Sequence, residues 1–134
     1  ACVRMVLAYW GEVRHEADIA QQLGTKRHGT PISAVRRLAQ DRRYDVELAV
    51  LSDSTLKSLL QNGIPVIVRV WTAMLPNWTV ETSHVVVIVG YDDTGVFVND
   101  PGAAAHSLHV AWDAFLAAWA EFDETAVILT PSRT

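Results

Sequence analysis

Three groups in this chain could do chemistry together: an imidazole at His84, a carboxylate at Asp100 and the chain's single thiol, Cys2. His84 opens the most hydrophobic run of the sequence, following Ser83 and preceding Val85, Val86, Val87, Ile88 and Val89. An imidazole at the mouth of a buried strand is held rigidly. Asp100 ends the next apolar run, Val96 to Asn99, and Asp92-Asp93-Thr94-Gly95 between the two runs reads as a hairpin turn. With the turn centred near Asp93 and Thr94, a residue about nine positions upstream faces one about six to eight downstream, which puts His84 within reach of Asp100. A carboxylate there accepts the proton-bearing imidazole nitrogen and fixes its tautomer, leaving the other nitrogen to act on a nucleophile. The plainer alternative is a structural histidine beside an Asn-Asp-Pro sequence that merely ends a strand.

Cys2 is the only candidate nucleophile, and it precedes an apolar segment of helical character. At a helix N-terminus, partial positive charge and a nearby imidazolium lower a thiol's pKa and keep it as thiolate. The common fate of a lone cysteine is to be a small buried helix residue. One cysteine also excludes an internal disulfide framework and a multi-cysteine zinc site. His106 and His109 look like half of a metal site, but no nearby carboxylate or cysteine completes a ligand set, so they read as surface polarity with no metal expected. No phosphate-cradling glycine motif occurs, and no cofactor is implied. The formal net charge of -4 offers no basic surplus for nucleic acid. Arg36, Arg37, Arg42 and Arg43 read as the solvated face of a helix.

The elements that must position these groups follow from periodicity. Cys2 to Trp10, almost wholly apolar and closed by Gly11, predicts a central, buried helix. His15 to Leu23 predicts a short amphipathic helix, and Thr30-Pro31 starts a third that runs to about Arg42. Val46, Leu48 and Val50 alternate as in a strand, and Ser52 to Asn62 has helical spacing at Leu56, Leu59 and Leu60. Ile64 to Val70, Ser83 to Tyr91 and Val96 to Asn99 are strands rich in Val and Ile. Trp71 to Thr82 reads as a loop, whose Trp71 and Trp78 are candidates for substrate contact, although ordinary packing is the commoner use of such aromatics. A helix near Ala111 to Trp119 and a strand from Ala126 to Thr130 close the chain.

At 134 residues, half of them apolar, the chain suits one domain with one core. We expect an α+β fold spanning 1–134, with a helical half of about residues 1–62 packed against an antiparallel sheet half of about residues 63–134, and a cleft between the halves. The apolar runs fall short of the ~20 residues that a membrane span needs. The domain reads as soluble, and its lone cysteine is compatible with a cytoplasmic or an exported setting.

Three stretches resemble the bacteriocin-processing (double-glycine leader) peptidases among the papain-like cysteine peptidases. They are Met5-Val6-Leu7-Ala8-Tyr9-Trp10-Gly11, the run Ser83 to Asp93, and Val96-Phe97-Val98-Asn99-Asp100-Pro101. Gly29-Thr30-Pro31, Gly63-Ile64-Pro65-Val66-Ile67 and Phe115 to Trp119 extend the match in the same order over nearly the whole chain. The resemblance implies a papain-like fold and a Cys-His-Asp mechanism on peptide substrates, often cleaved after paired glycines. It also implies that His84 is the catalytic histidine and Asp100 the acid that orients it. The family's nucleophile stands about thirteen residues before the glycine matching Gly11; Cys2 stands nine before it, and the difference of about four residues is one helical turn. Cys2 therefore corresponds to a residue one turn past the nucleophile. With a chain that begins at Ala1, this leads us to expect an upstream segment that carries the nucleophile and the family's oxyanion-binding glutamine. The alternative readings are a catalytically inactive peptide-binding or docking module on the same fold, and a shortened helix that places Cys2 itself at the site.

Overall fold

The computed structural model describes residues 2–10, 37, 44–75, 81–99 and 107–132. The expected helices at His15 to Leu23 and Thr30 to Arg42 lie outside these residues, except that Arg37 is helical and exposed. The chain divides into two compact units, Ala1–Glu47 with Leu129–Thr134, and Leu48–Ile128.

In the first unit, helix α1 (Cys2–Tyr9) buries Cys2, Val6 and Leu7. Ala8 and Tyr9 are exposed, so α1 has a wet side where all-round burial was expected. Residues two positions apart on a helix lie roughly 200° apart, and only one side of this short helix is packed. The backbone N–H of Trp10 ends the helix on the carbonyls of Val6 and Leu7, at 3.2 and 3.1 Å. Its indole Nε1 donates to the Leu129 carbonyl at 2.9 Å, which ties the end of α1 to the last strand.

The remaining elements are β1 (Tyr44–Val50), α2 (Asp53–Gln61), β2 (Val66–Trp71), a 3-10 turn (Thr72–Met74), β3 (Ser83–Tyr91), β4 (Gly95–Asn99), β5 (Leu108–Ala111), α3 (Trp112–Ala120) and β6 (Thr125–Pro131). The strands form one sheet in the order β1-β6-β2-β3-β4-β5. The pairs β6–β2, β2–β3, β3–β4 and β4–β5 are antiparallel. Together with the helices this is the expected α+β class. Helix α2 starts where the Ser52 hydroxyl accepts the N–H of Thr55 at 3.1 Å, a capping bond that replaces a missing intrahelical partner. It ends at Gly63, whose φ of 75° suits a residue without Cβ.

In the second unit, one face of the sheet carries Val66, Val68 and Val70 of β2, Val86 and Ile88 of β3, Val96 and Val98 of β4 and Val110 of β5. Leu56 and Leu60 of α2 and Phe115, Ala118 and Trp119 of α3 cover this face. Phe115 and Trp119 stack with centroids 5.3 Å apart. Burial of such side chains stabilises by about 1.5–3 kcal/mol each, so this layer anchors β2, β3 and β4.

Strand β5 was not expected from the sequence. It has only four residues, and its alternation of Leu108 and Val110 with His109 and Ala111 is too short to stand out. Its partner explains its place: a Cβ at Gly95 would overlap the Val110 carbonyl, so a glycine lets β4 and the end of β5 approach. After α3 the chain reverses through Asp123 and Glu124, both at φ 57°, a left-handed conformation that non-glycine residues adopt at a cost.

Candidate functional site

His84 is the second residue of β3 and lies opposite Val70 of β2. By strand alternation it shares the core face with Val86 and Ile88, at the end of their row, and is half-buried where they are buried. The core thus holds the histidine's strand from below while the ring stands at the margin of the sheet.

The strand ends beside it are locked by Thr72, buried to 1% exposure. Its N–H donates to the Thr82 carbonyl at 2.9 Å. Its hydroxyl donates to the same carbonyl at 3.1 Å and accepts the Thr82 N–H at 2.8 Å. Three bonds between residues 72 and 82 close the base of the expected Trp71–Thr82 loop immediately before Ser83 and His84. Sequence reading missed this clamp, because nothing local marks two threonines ten residues apart as partners.

Trp71 is not a loop residue; it is the last residue of β2, half-buried and opposite Ser83. The apolar run of β2 continues through it, so the ladder extends one residue further than the Pro-and-Asn-rich segment suggested. Trp78, Asp100 and His106 lie outside the described residues. The chain leading to Asp100 is placed: Asn99, the last residue of β4, pairs with Val87, and Val98 pairs with Ile88. The Asn99 Oδ1 is buried and has no hydrogen-bond partner among the described residues. Cys2 is the first residue of α1, buried, and belongs to the other compact unit.

His109 departs from the expectation that no carboxylate stands near it. The fold brings Asp92 across the hairpin, and the Asp92 Oδ1 lies 3.2 Å from His109 Nε2. The same oxygen accepts the Thr94 hydroxyl at 2.7 Å, the Thr94 N–H at 2.8 Å and the Gly95 N–H at 3.0 Å. These bonds, the Thr94 hydroxyl first, hold the Asp92 carboxyl well below the usual carboxylate range. This is a turn-closing cluster at the far end of the hairpin from His84. Among the described residues no group of three or more His, Cys, Asp or Glu could hold a metal ion.

The family model of the Peptidase_C39 like family matches residues 1–127. The chain belongs to that family. Among solved structures it is similar to the peptidase domain of Streptococcus ComA, a bi-functional ABC transporter involved in a quorum-sensing pathway, with TM-score 0.75 and 18% identity over 97% of this chain and 88% of that one. A C39-like peptidase from Bacillus anthracis matches with TM-score 0.75 and 18% identity over 98% of this chain and 87% of that one. A double glycine motif protease from an AMS/PCAT transporter, solved in complex with the leader peptide, matches with TM-score 0.67 and 21% identity over 97% and 81%. No curated protein sequence matches the chain. At these identities the likeness establishes the fold, that of the papain-like C39 peptidase domains. Among the described residues of this C39-like chain, no helix is long and apolar enough to cross a membrane.

Proposed function

We propose that the chain is the core of a thiol peptidase domain that hydrolyses peptide bonds, with double-glycine leader peptides as its substrate class. The observation that carries this reading is the family match over residues 1–127, with His84 standing at the start of β3. In this reading His84 takes the proton from a cysteine, the thiolate attacks the scissile carbonyl, and His84 returns the proton to the leaving amine. Asp100 orients the imidazole. Support for that pairing comes from register: Val87 pairs with Asn99, so the chain just before Asp100 runs beside β3 three residues from His84. The nucleophile is a cysteine one helical turn before Cys2, as the family spacing implies. Trp71, at the same end of β2, is a substrate-contact candidate, and Trp78 is proposed with it.

The alternative is a peptide-binding module that keeps the fold without catalysis. An alkylating probe on the full-length protein separates the two. Fast, pH-dependent labelling of one cysteine that slows when His84 is replaced by Ala supports the peptidase. Uniformly slow labelling, typical of buried thiols and indifferent to His84→Ala, overturns it in favour of the module.

A further inference from the structure

The face of β2 and β3 opposite Val70 and His84 carries Arg69, Ser83 and Val85, which the proposed function does not use, beside the substrate-contact candidate Trp71. Arg69 is exposed and pairs across the strands with Val85, itself 40% exposed. Its guanidinium carbon lies 4.7 Å from the centroid of the Phe122 ring. Its Nη2 donates to the Ser83 hydroxyl at 3.3 Å. Ring and hydroxyl hold the group from two directions, and among the described residues no carboxylate pairs with it. Phe122 is fixed in turn, because its N–H donates to the Trp119 carbonyl at 3.0 Å and its own carbonyl accepts the Thr125 hydroxyl at 3.0 Å.

A guanidinium stacked on an aromatic face spends no N–H on the ring, and Ser83 takes one of its five. The rest of the fork is oriented without a matching anion. Such preorganisation lowers the entropic cost of binding a carboxylate and favours bidentate geometry. The chain's net charge of -4 gives no general attraction for acidic peptides, so recognition here must be local and directional.

The geometry points to Arg69 as a recognition residue for one Glu or Asp side chain of the peptide substrate, with Val85 and Trp71 taking an adjacent apolar side chain. This contact rests on the peptidase reading. It lies on the other side of the sheet from the His84 ring, so it reads a residue remote from the scissile bond. Ser83 acts as a positioning residue for the fork.

The test is a set of fluorescein-labelled peptides in which Gly-Gly is followed by a short tail that supplies the scissile bond, uncharged apart from one Glu moved along the sequence before Gly-Gly, each with a Gln control. Binding to the full-length protein is followed by anisotropy, and cleavage of the same peptides is assayed separately. At one position Glu is expected to bind about tenfold more tightly than Gln, a difference worth about 1.4 kcal/mol. Arg69→Gln abolishes that preference, Arg69→Lys keeps only part of it, and Arg69→Glu transfers it to Lys at the same peptide position. A Glu preference at no position, or one that survives Arg69→Gln, overturns the assignment. Cleavage that continues alongside such a result leaves the peptidase reading standing. Arg69-dependent binding without cleavage in any peptide overturns the peptidase reading alone.

Discussion

The two ends of the β3–β4 hairpin are built by opposite rules. At the tip, one oxygen of Asp92 accepts hydrogen bonds from the Thr94 hydroxyl and from the N–H groups of Thr94 and Gly95, and His109 Nε2 lies beside it. The Trp112 indole Nε1 also donates to the Asp92 carbonyl at 2.8 Å. At the open end, His84 stands half-buried at the margin of the core, and the buried Asn99 Oδ1 has no hydrogen-bond partner among the described residues. The tip gains local rigidity from saturated polar groups. The open end is held instead by the Thr72–Thr82 bonds and by the buried apolar rows of β2 and β3, with the imidazole at the margin of that core.

Four changes test that contrast, beginning with the largest effect. His84→Ala is expected to slow peptide hydrolysis by about 10²–10⁴-fold, the usual contribution of a general base, with little change in the urea midpoint of unfolding. A loss of stability as large as the loss of rate would mean that the open end is structural like the tip. Thr72→Val removes the acceptor of the Thr82 N–H and should cost about 1–3 kcal/mol, read by urea unfolding, with faster amide exchange at Thr82. Unchanged exchange there would show that the clamp does not hold the strand ends.

The third test is acid titration of the tip. The folded Asp92 carboxyl is held below its ordinary pKa, so its stabilisation is complete above the unfolded value of about 4 and fades as pH falls below it toward the depressed folded value. Melting temperatures measured from about pH 5 down to about pH 2 should therefore fall less for Asp92→Asn than for the parent chain. Identical slopes would remove the tip's electrostatic role. The smallest effect is expected at Asn99→Leu, which forfeits no hydrogen bond to Oδ1 from the described residues and should leave stability unchanged or raised by up to about 1 kcal/mol. A marked destabilisation would place a hidden partner at Asn99 and weaken the contrast between the ends.

Much of the scaffold was legible in the chain because its signals are local. β3 was read at its observed bounds from an unbroken run of β-branched residues, and α2 from Ser52, leucines at helical spacing and Gly63. The approach of His84 and the end of β4 followed from counting back along a hairpin, and the register Val87↔Asn99 has that sense. What stayed hidden joins residues whose types are ordinary and whose partners are distant. Asp92 and His109 are 17 positions apart, and the strand that carries His109 was not recognised. Arg69 lies on β2 and Phe122 in the turn after α3, and neither residue signals the other.

By itself the sequence determined most of the described strands and helices, β5 excepted, and that the class is α+β, since propensity, capping and periodicity act over a few neighbouring residues. Only the tertiary structure decided that β6 lies between β1 and β2, that Thr72 locks the strand ends beside His84, and that the Phe122 ring holds Arg69. Those arrangements depend on contacts between distant parts of the chain. Their stability comes from burial and hydrogen bonds that exist only once the core has closed.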